Sequence, residues 1–153
     1  MKIIQGDLIK LAIDGHFDVI VHGCNCQNQM GKGIAKTIRQ KFPSAYEADL
    51  ETEKGSREKL GTFSTTTVEC GDHNLTIVNG YTQFHWRGKG TKADYDAIRS
   101  VFKGIKLSYS GQRIGYPLIG AGLANGDWDT IEKIIDEELI DEDHTLVKFQ
   151  PSK

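Results

Sequence analysis

The chain has 153 residues, 38% of them apolar and 26% charged, with a formal net charge of -2. That length suits one domain, able to bury roughly 70% of its unfolded surface without cross-links. The charge balance excludes the broad positive field that general nucleic-acid binding depends on, so a bound polyanion must be held locally by backbone donors and a few side chains. The longest apolar runs are a handful of residues, too short to span a bilayer. The opening "MKIIQGDL" turns acidic too early for a secretory leader, which makes the cytoplasm the expected address. Cys24, Cys26 and Cys70 are odd in number, and the C-x-C spacing is too tight for an ordinary disulfide, so reduced thiols are expected.

In chain order, "KII" (2–4) and "DVIVH" (18–22) are dense in Ile and Val and read as short buried strands, with "DLIKLAI" between them as a turn or two of helix. From Gly33, the residues Ile34, Ala35, Ile38 and Phe42 recur at helical spacing until Pro43 stops the run. Ser44 is placed to cap a further helix to about Lys54, with Ala45, Ala48 and Leu50 inward. "GTFSTTTVE" and "LTIVNGY" predict a hairpin turning near residue 72. A polar loop, "TQFHWRGKGT", leads to a helix over 92–107 with Tyr95, Ile98, Val101, Phe102 and Ile105 on one face. "RIGYPLI" is a strand, "GAGLANG" a loop, 127–139 a helix with Trp128, Ile131, Ile135 and Leu139 inward, and "TLVKF" a last strand.

Strands alternating with helices, plus one hairpin, predict a single α/β domain over 1–153 built on a mixed sheet. Both glycine-rich loops follow a strand and precede a helix, where open α/β sheets bind ligands. Helix N-termini carry unpaired N–H groups and favour anions. Gly31, Gly33 and Ile34 form one candidate cradle, and Gly120, Ala121, Gly122, Leu123 and Ala124 the other; side by side they would clamp a diphosphate. A P-loop is excluded, since Cys26 stands at its first Gly and Gly33 at its hydroxyl position; Lys36 occupies the third Gly of the dinucleotide fingerprint.

"GDL", "VIVHGCNCQNQMGKGIAKTI" and "YPLIGAGLANGDWDTIEKIIDEEL" resemble the macro domain family over essentially the whole chain. The likeness is strongest to its small stand-alone ADP-ribose 1''-phosphate phosphatases, with a relation to the terminal ADP-ribose protein glycohydrolase branch. The resemblance implies a three-layer α/β/α fold around a mixed sheet of about six strands. It also implies ADP-ribose or its 1''-phosphate as ligand, ADP-ribosylated macromolecules as further partners, no cofactor or metal, and a monomer. By the same resemblance Asp7 meets the adenine amino group with the Leu8 backbone nearby, and Asn25 bonds the distal ribose. Gly31, Lys32, Gly33 and Ile34 line the ribose and diphosphate, Gly120 to Ala124 form the second phosphate loop, and Phe149 lies beside the adenine.

His22 stands where many members carry Asn and phosphatase members carry His, so it is the candidate to activate water or attack phosphorus, with Asn25 orienting the ribose. The bland alternative is a strand-end histidine bonded to a neighbouring carbonyl. The glycohydrolase branch uses a lysine after the fourth strand and an aspartate in the second loop; here Thr82 or Gln83 and Ala124 stand instead. Asp127 reads as a helix cap, with a second catalytic acid as the alternative. Residues 84–90, "FHWRGKG", interleave aromatic and basic side chains, either as a loop near the ligand's phosphate end or as a single-strand platform. "DEELIDEDH" reads as a solvated acidic face.

Overall fold

A computed structural model describes residues 1–86 and 90–151. Six strands form one sheet in the order β1-β6-β5-β2-β4-β3: β1 (Lys2–Gly6), β2 (Val19–Asn25), β3 (Phe63–Cys70), β4 (His73–Gln83), β5 (Arg113–Tyr116) and β6 (Asp143–Phe149). The first five in that spatial order are mutually parallel, and β3 pairs antiparallel with β4 through the hairpin. The sheet is therefore mixed, in the three-layer arrangement that the resemblance implies.

The layers follow from side-chain alternation along the strands. Val19 and Val21 of β2, Val78 of β4 and Leu146 of β6 pack against α4 (Tyr95–Tyr109) and α5 (Trp128–Glu138). Their neighbours Ile20, Ile77 and Val147 face the other way, toward α1 (Leu8–Ile13), α2 (Gly33–Lys41) and α3 (Pro43–Leu50). Both faces of the central strands are buried, which is why these strands read as continuous apolar runs.

Several boundaries move. β2 runs on to Asn25 and β4 to Gln83, so residues expected in loops carry ladder bonds instead. The α3 helix starts with Pro43 at its first turn and ends at Leu50, while the Ser44 hydroxyl accepts a bond from Thr66 rather than capping the helix. Its inward residues are Ala45 and Asp49; Leu50 is exposed. Asp127 does cap α5, accepting from the Thr130 N–H at 3.2 Å and hydroxyl at 2.6 Å. The acidic run is not simply solvated, because Glu142 binds Lys106, Ser110 and the Gly111 N–H.

Chain connectivity reverses between β2 and β5: from β2 the chain proceeds to β3 and back to β4 on one side, and from β5 to β6 on the other. Such a switch point leaves a crevice outside the carboxyl ends of the two strands.

Candidate functional site

A cavity of about 780 Å³ occupies that crevice. Its floor follows the carboxyl edge from Asp7, just past β1, through Phe149 on β6 and the loop after β5, to Asn25 on β2 and Gln83 on β4. Four strand spacings of ~4.8 Å make this a groove roughly 19 Å long, suited to an extended ligand.

Both glycine loops line it, and they meet. A methyl on Gly33, whose φ of +60° already favours glycine, would lie 3.5 Å from Leu123 Cδ1 of the second loop. The second loop is folded on itself by the Gly126 N–H donating to the Gly120 carbonyl at 2.6 Å, and it is tied outward by Lys92 and Ala93 N–H groups donating to the Ala124 carbonyl. These bonds leave the N–H groups of Gly120, Gly122, Leu123 and Ala124 without acceptors among the described residues. In the first loop, the Gly31 and Lys32 N–H groups likewise have no acceptor among the described residues, and the α2 N-terminus adds those of Gly33 and Ile34. Two loops rich in such donors on one cavity suit an anion held by backbone.

Of the residues expected at a ligand, Asp7, Leu8, Asn25, Gly31, Lys32, Gly33, Ile34, Gly120, Gly122, Leu123, Ala124 and Phe149 all line the cavity. Ala121 does not; it packs against the α4/α5 core. Asp7 also caps α1, accepting from the Ile9 and Lys10 N–H groups through one carboxylate oxygen, which leaves the other for a ligand. Phe149 is 74% exposed at the cavity's edge, an apolar face presented to solvent. Asn25 spends its amide on its own loop: Oδ1 accepts from the Gln27 N–H at 2.9 Å and Nδ2 donates to the Gln29 carbonyl at 3.1 Å. One further bond per group remains open to it.

His22 corrects the sequence expectation. It is 0% exposed and does not line the cavity. Its Nε2–H donates to Asn79 Oδ1 at 2.6 Å, on the side of the sheet covered by α3, and burial drives its pKa down to about 4. An imidazole so placed is neutral and does not reach a ligand in the cavity, so contact with phosphorus or its attacking water is withdrawn. Between it and the ligand edge stands Cys24, which does line the cavity and whose sulfur lies 3.6 Å from His22 Nε2. Burial pushes the Cys24 thiol well up, so it is no ready thiolate.

Sequence reading missed a buried polar cluster behind the first loop. Lys59, 7% exposed, donates to Asn28 Oδ1 at 2.5 Å and to the Cys26 carbonyl at 3.3 Å, with its ammonium 4.6 Å from the Tyr81 ring centre. Tyr81 in turn donates to Asp49 at 2.7 Å. Nothing in "GSREKL" distinguishes Lys59 from an exposed lysine, since its burial depends on where α3 and β4 sit. All three cysteines are free thiols, and no cluster of potential metal ligands occurs among the described residues. Of the 84–90 loop, Trp86 lines the cavity and stacks on His85, while 87–89 lie outside the described residues.

The family model described as Macro domain matches residues 21–135. A 17.5 kDa phage T4 protein of the tk-vs intergenic region is 35% identical across 99% of this chain and 97% of its own. The Mycobacterium tuberculosis DNA ADP-ribosyl glycohydrolase is 25% identical over 84% of this chain, which spans 36% of that protein. The Ajellomyces capsulatus ADP-ribose 1''-phosphate phosphatase is 51% identical, but over 43 residues, 28% of this chain and 16% of that protein. Among solved structures, a Bacteroides thetaiotaomicron protein superposes with a TM-score of 0.78 at 27% identity, covering 97% of this chain and 99% of the other.

Proposed function

Because the chain belongs to the macro domain family, we propose that it binds ADP-ribose along the switch-point groove and hydrolyses ADP-ribose 1''-phosphate to ADP-ribose and inorganic phosphate. The observation that carries the reading is the meeting of two loops, one after β2 and one after β5, that line one cavity and hold N–H groups without acceptors among the described residues. In this reading the adenosine end lies toward Asp7 and Phe149, the diphosphate lies between the loops, and the distal ribose lies toward Asn25. Water attacks phosphorus, the bond from phosphorus to the anomeric oxygen breaks, and that oxygen takes up a proton. Among the described residues, the titratable side chains lining the cavity are Asp7, Cys24 and Lys32, so catalysis rests on positioning and on charge taken up by backbone donors and Lys32. Calorimetric titration with ADP-ribose tests the binding; release of inorganic phosphate from the 1''-phosphate tests the reaction. Binding without release would reduce the protein to a reader of ADP-ribose.

A second reading is removal of ADP-ribose from DNA. What favours it is coverage: the relatives named for that activity align over 84% of this chain, those named as phosphatases over about 30% or less. Against it, Thr82, Gln83 and Ala124 stand where the resemblance leads one to expect a lysine and an aspartate. Release of ADP-ribose from a modified oligonucleotide, with none from the 1''-phosphate, would favour this reading.

A further inference from the structure

β1 forms one edge of the sheet, and among the described residues no strand pairs with its outer side. Lys2, Ile3, Ile4 and Gln5 are all exposed, Ile3 at 51% and Ile4 at 40%. Ile3 pairs with Leu146 on the α4/α5 side and Ile4 with Val147 on the α1 side, so the strand shows apolar surface on both faces. Its backbone is open as well. The Gly6 carbonyl accepts from the Gln150 N–H at 2.8 Å, which turns Lys2, Ile4 and Gly6 toward β6 and, by alternation, the N–H and C=O groups of Ile3 and Gln5 outward. Sheet edges are usually blunted by charge, proline or a bulge. This one has an unbroken register with β6 and no proline, and its one charged side chain, Lys2, is drawn back to Asp143 at 3.1 Å.

The outward groups match a second copy of themselves. In an antiparallel pair about a two-fold axis at Ile4, Ile3 of each copy faces Gln5 of the other. Residues so opposed exchange both their N–H···O bonds, so every outward group of Ile3 and Gln5 is satisfied at once. An axis at Ile3 or at Gln5 would instead set the other of the two against a residue outside the strand. At Ile4 the two isoleucines meet in the close, non-hydrogen-bonded position. Lys2 then falls opposite Gly6 of the other copy, beside a shallow hollow of about 380 Å³ lined by Asp7, Lys10 and Asp14. Charge is complementary there, since an ammonium 71% exposed in its own copy meets two carboxylates and one amine. We propose that a second copy of this chain docks on β1, antiparallel and two-fold symmetric, and joins the two sheets into one, in place of the monomer that the resemblance implies. The ladder is short beside a standard interface, so the dimer forms reversibly as concentration rises.

Sedimentation velocity on the full chain, over a wide range of concentration, tests it. Wild type moves from the mass of one chain toward that of two. Ile4→Lys sets two ammonium groups against each other on the axis and weakens association by about tenfold or more. Gln5→Pro deletes an outward N–H while leaving the β6 ladder whole; it shows a similar loss and serves as the second variant if Ile4→Lys does not fold. Ile4→Cys reads the register, because Cα atoms ~4.5 Å apart on the axis suit a disulfide, and diamide then links the two chains. Wild type, whose three cysteines are buried, gives no such link, and Lys2→Cys, opposite Gly6, gives none either. A wild type that stays a single chain throughout overturns the proposal and leaves the edge to a strand of another protein. So does a dimer that Ile4→Lys and Gln5→Pro leave unchanged, or an Ile4→Cys protein that diamide does not link.

Discussion

His22 and Asn79 face each other across neighbouring parallel strands, paired in register, with His22 Nε2 donating to Asn79 Oδ1 at 2.6 Å. The amide cannot turn round, because its nitrogen donates to the Ala45 carbonyl at 2.9 Å and to Ser64 Oγ at 3.0 Å. Asn79 thus dictates the tautomer, leaving Nδ1 without a proton. The pair ties β2 and β4 to α3 beneath the cavity floor, so the histidine acts on the fold.

That pairing predicts a pH dependence of stability. The ordinary pKa is 6.5 and burial lowers it to about 4 in the folded chain, so between those values the unfolded chain binds the extra proton. Stability is complete above pH 6.5 and falls as pH drops toward 4, by about 3 kcal/mol from this group. Urea midpoints measured from pH 7.5 to 4 should show the decline, and His22→Gln should flatten it. A midpoint constant across that range contradicts the buried neutral imidazole. Any pH–rate profile should also lack an inflection that His22→Gln removes.

Two glycines of the second loop should separate folding from binding. A methyl on Gly126 would lie 2.5 Å from the Gly120 carbonyl oxygen and 2.8 Å from Ile131 Cδ1, whereas one on Gly122 meets nothing within 4 Å. Gly126→Ala should therefore cost about 1–3 kcal/mol of stability and distort the cradle. Gly122→Ala should unfold at the wild-type temperature yet bind ADP-ribose at least tenfold more weakly, since the methyl enters space left for the ligand. Thermal unfolding and calorimetry on the two variants decide it; equal stability would contradict the packing described.

The buried Lys59 cluster should hold the first loop in shape. Lys59→Met keeps the apolar stem but takes one donor from each of the Asn28 and Cys26 oxygens, which keep only the Thr52 hydroxyl and the Gly55 N–H, and it removes the cation over Tyr81. The expected loss is about 1.5–3 kcal/mol, the range for hydrogen bonds made by a charged group. Because Asn25, Gln29 and Gly31 of that loop line the cavity, ligand affinity should drop as well. Hydrogen exchange should rise at residues 26–32 in the variant; unchanged exchange there would contradict the clamp.

Glu142 closes the end of α4 and should matter at acid pH. The Gly111 N–H, then Ser110 and Lys106, hold its carboxylate down to about 2. A depressed carboxylate adds stability above its unfolded pKa of about 4.5, and that contribution is lost as pH falls through about 2. Glu142→Gln should cost about 1–2 kcal/mol at pH 7 and only a small part of that at pH 2. Paired denaturation curves at the two pH values check the sign.

Alternation of strands and helices, the hairpin turning near residue 72, the Asp127 cap and the placement of both glycine loops between a strand and a helix were legible in the residues. Each depends on interactions within a few positions of the chain: apolar periodicity, capping chemistry and glycine geometry. The resemblance carried by "HGCNCQNQMGKGIA" and "IGAGLANG" extended that to the fold as a whole. Local signals stop at contacts between distant segments. Whether His22 faces ligand or α3 is decided by the packing of 43–50 on the sheet, which brings Asn79 and Ala45 around the ring. Thr82 reaches the cavity because β4 carries one residue more than β2 opposite it, a property of the pairing of two strands that neither sequence segment contains. Lys59 is buried because Tyr81 and Asn28 close over it from elements 22 and 31 residues away. The sequence by itself determined which segments form strands, helices and anion-ready loops; the tertiary structure alone decided which side chains those segments turn toward one another, because that depends on strand order and register across the sheet.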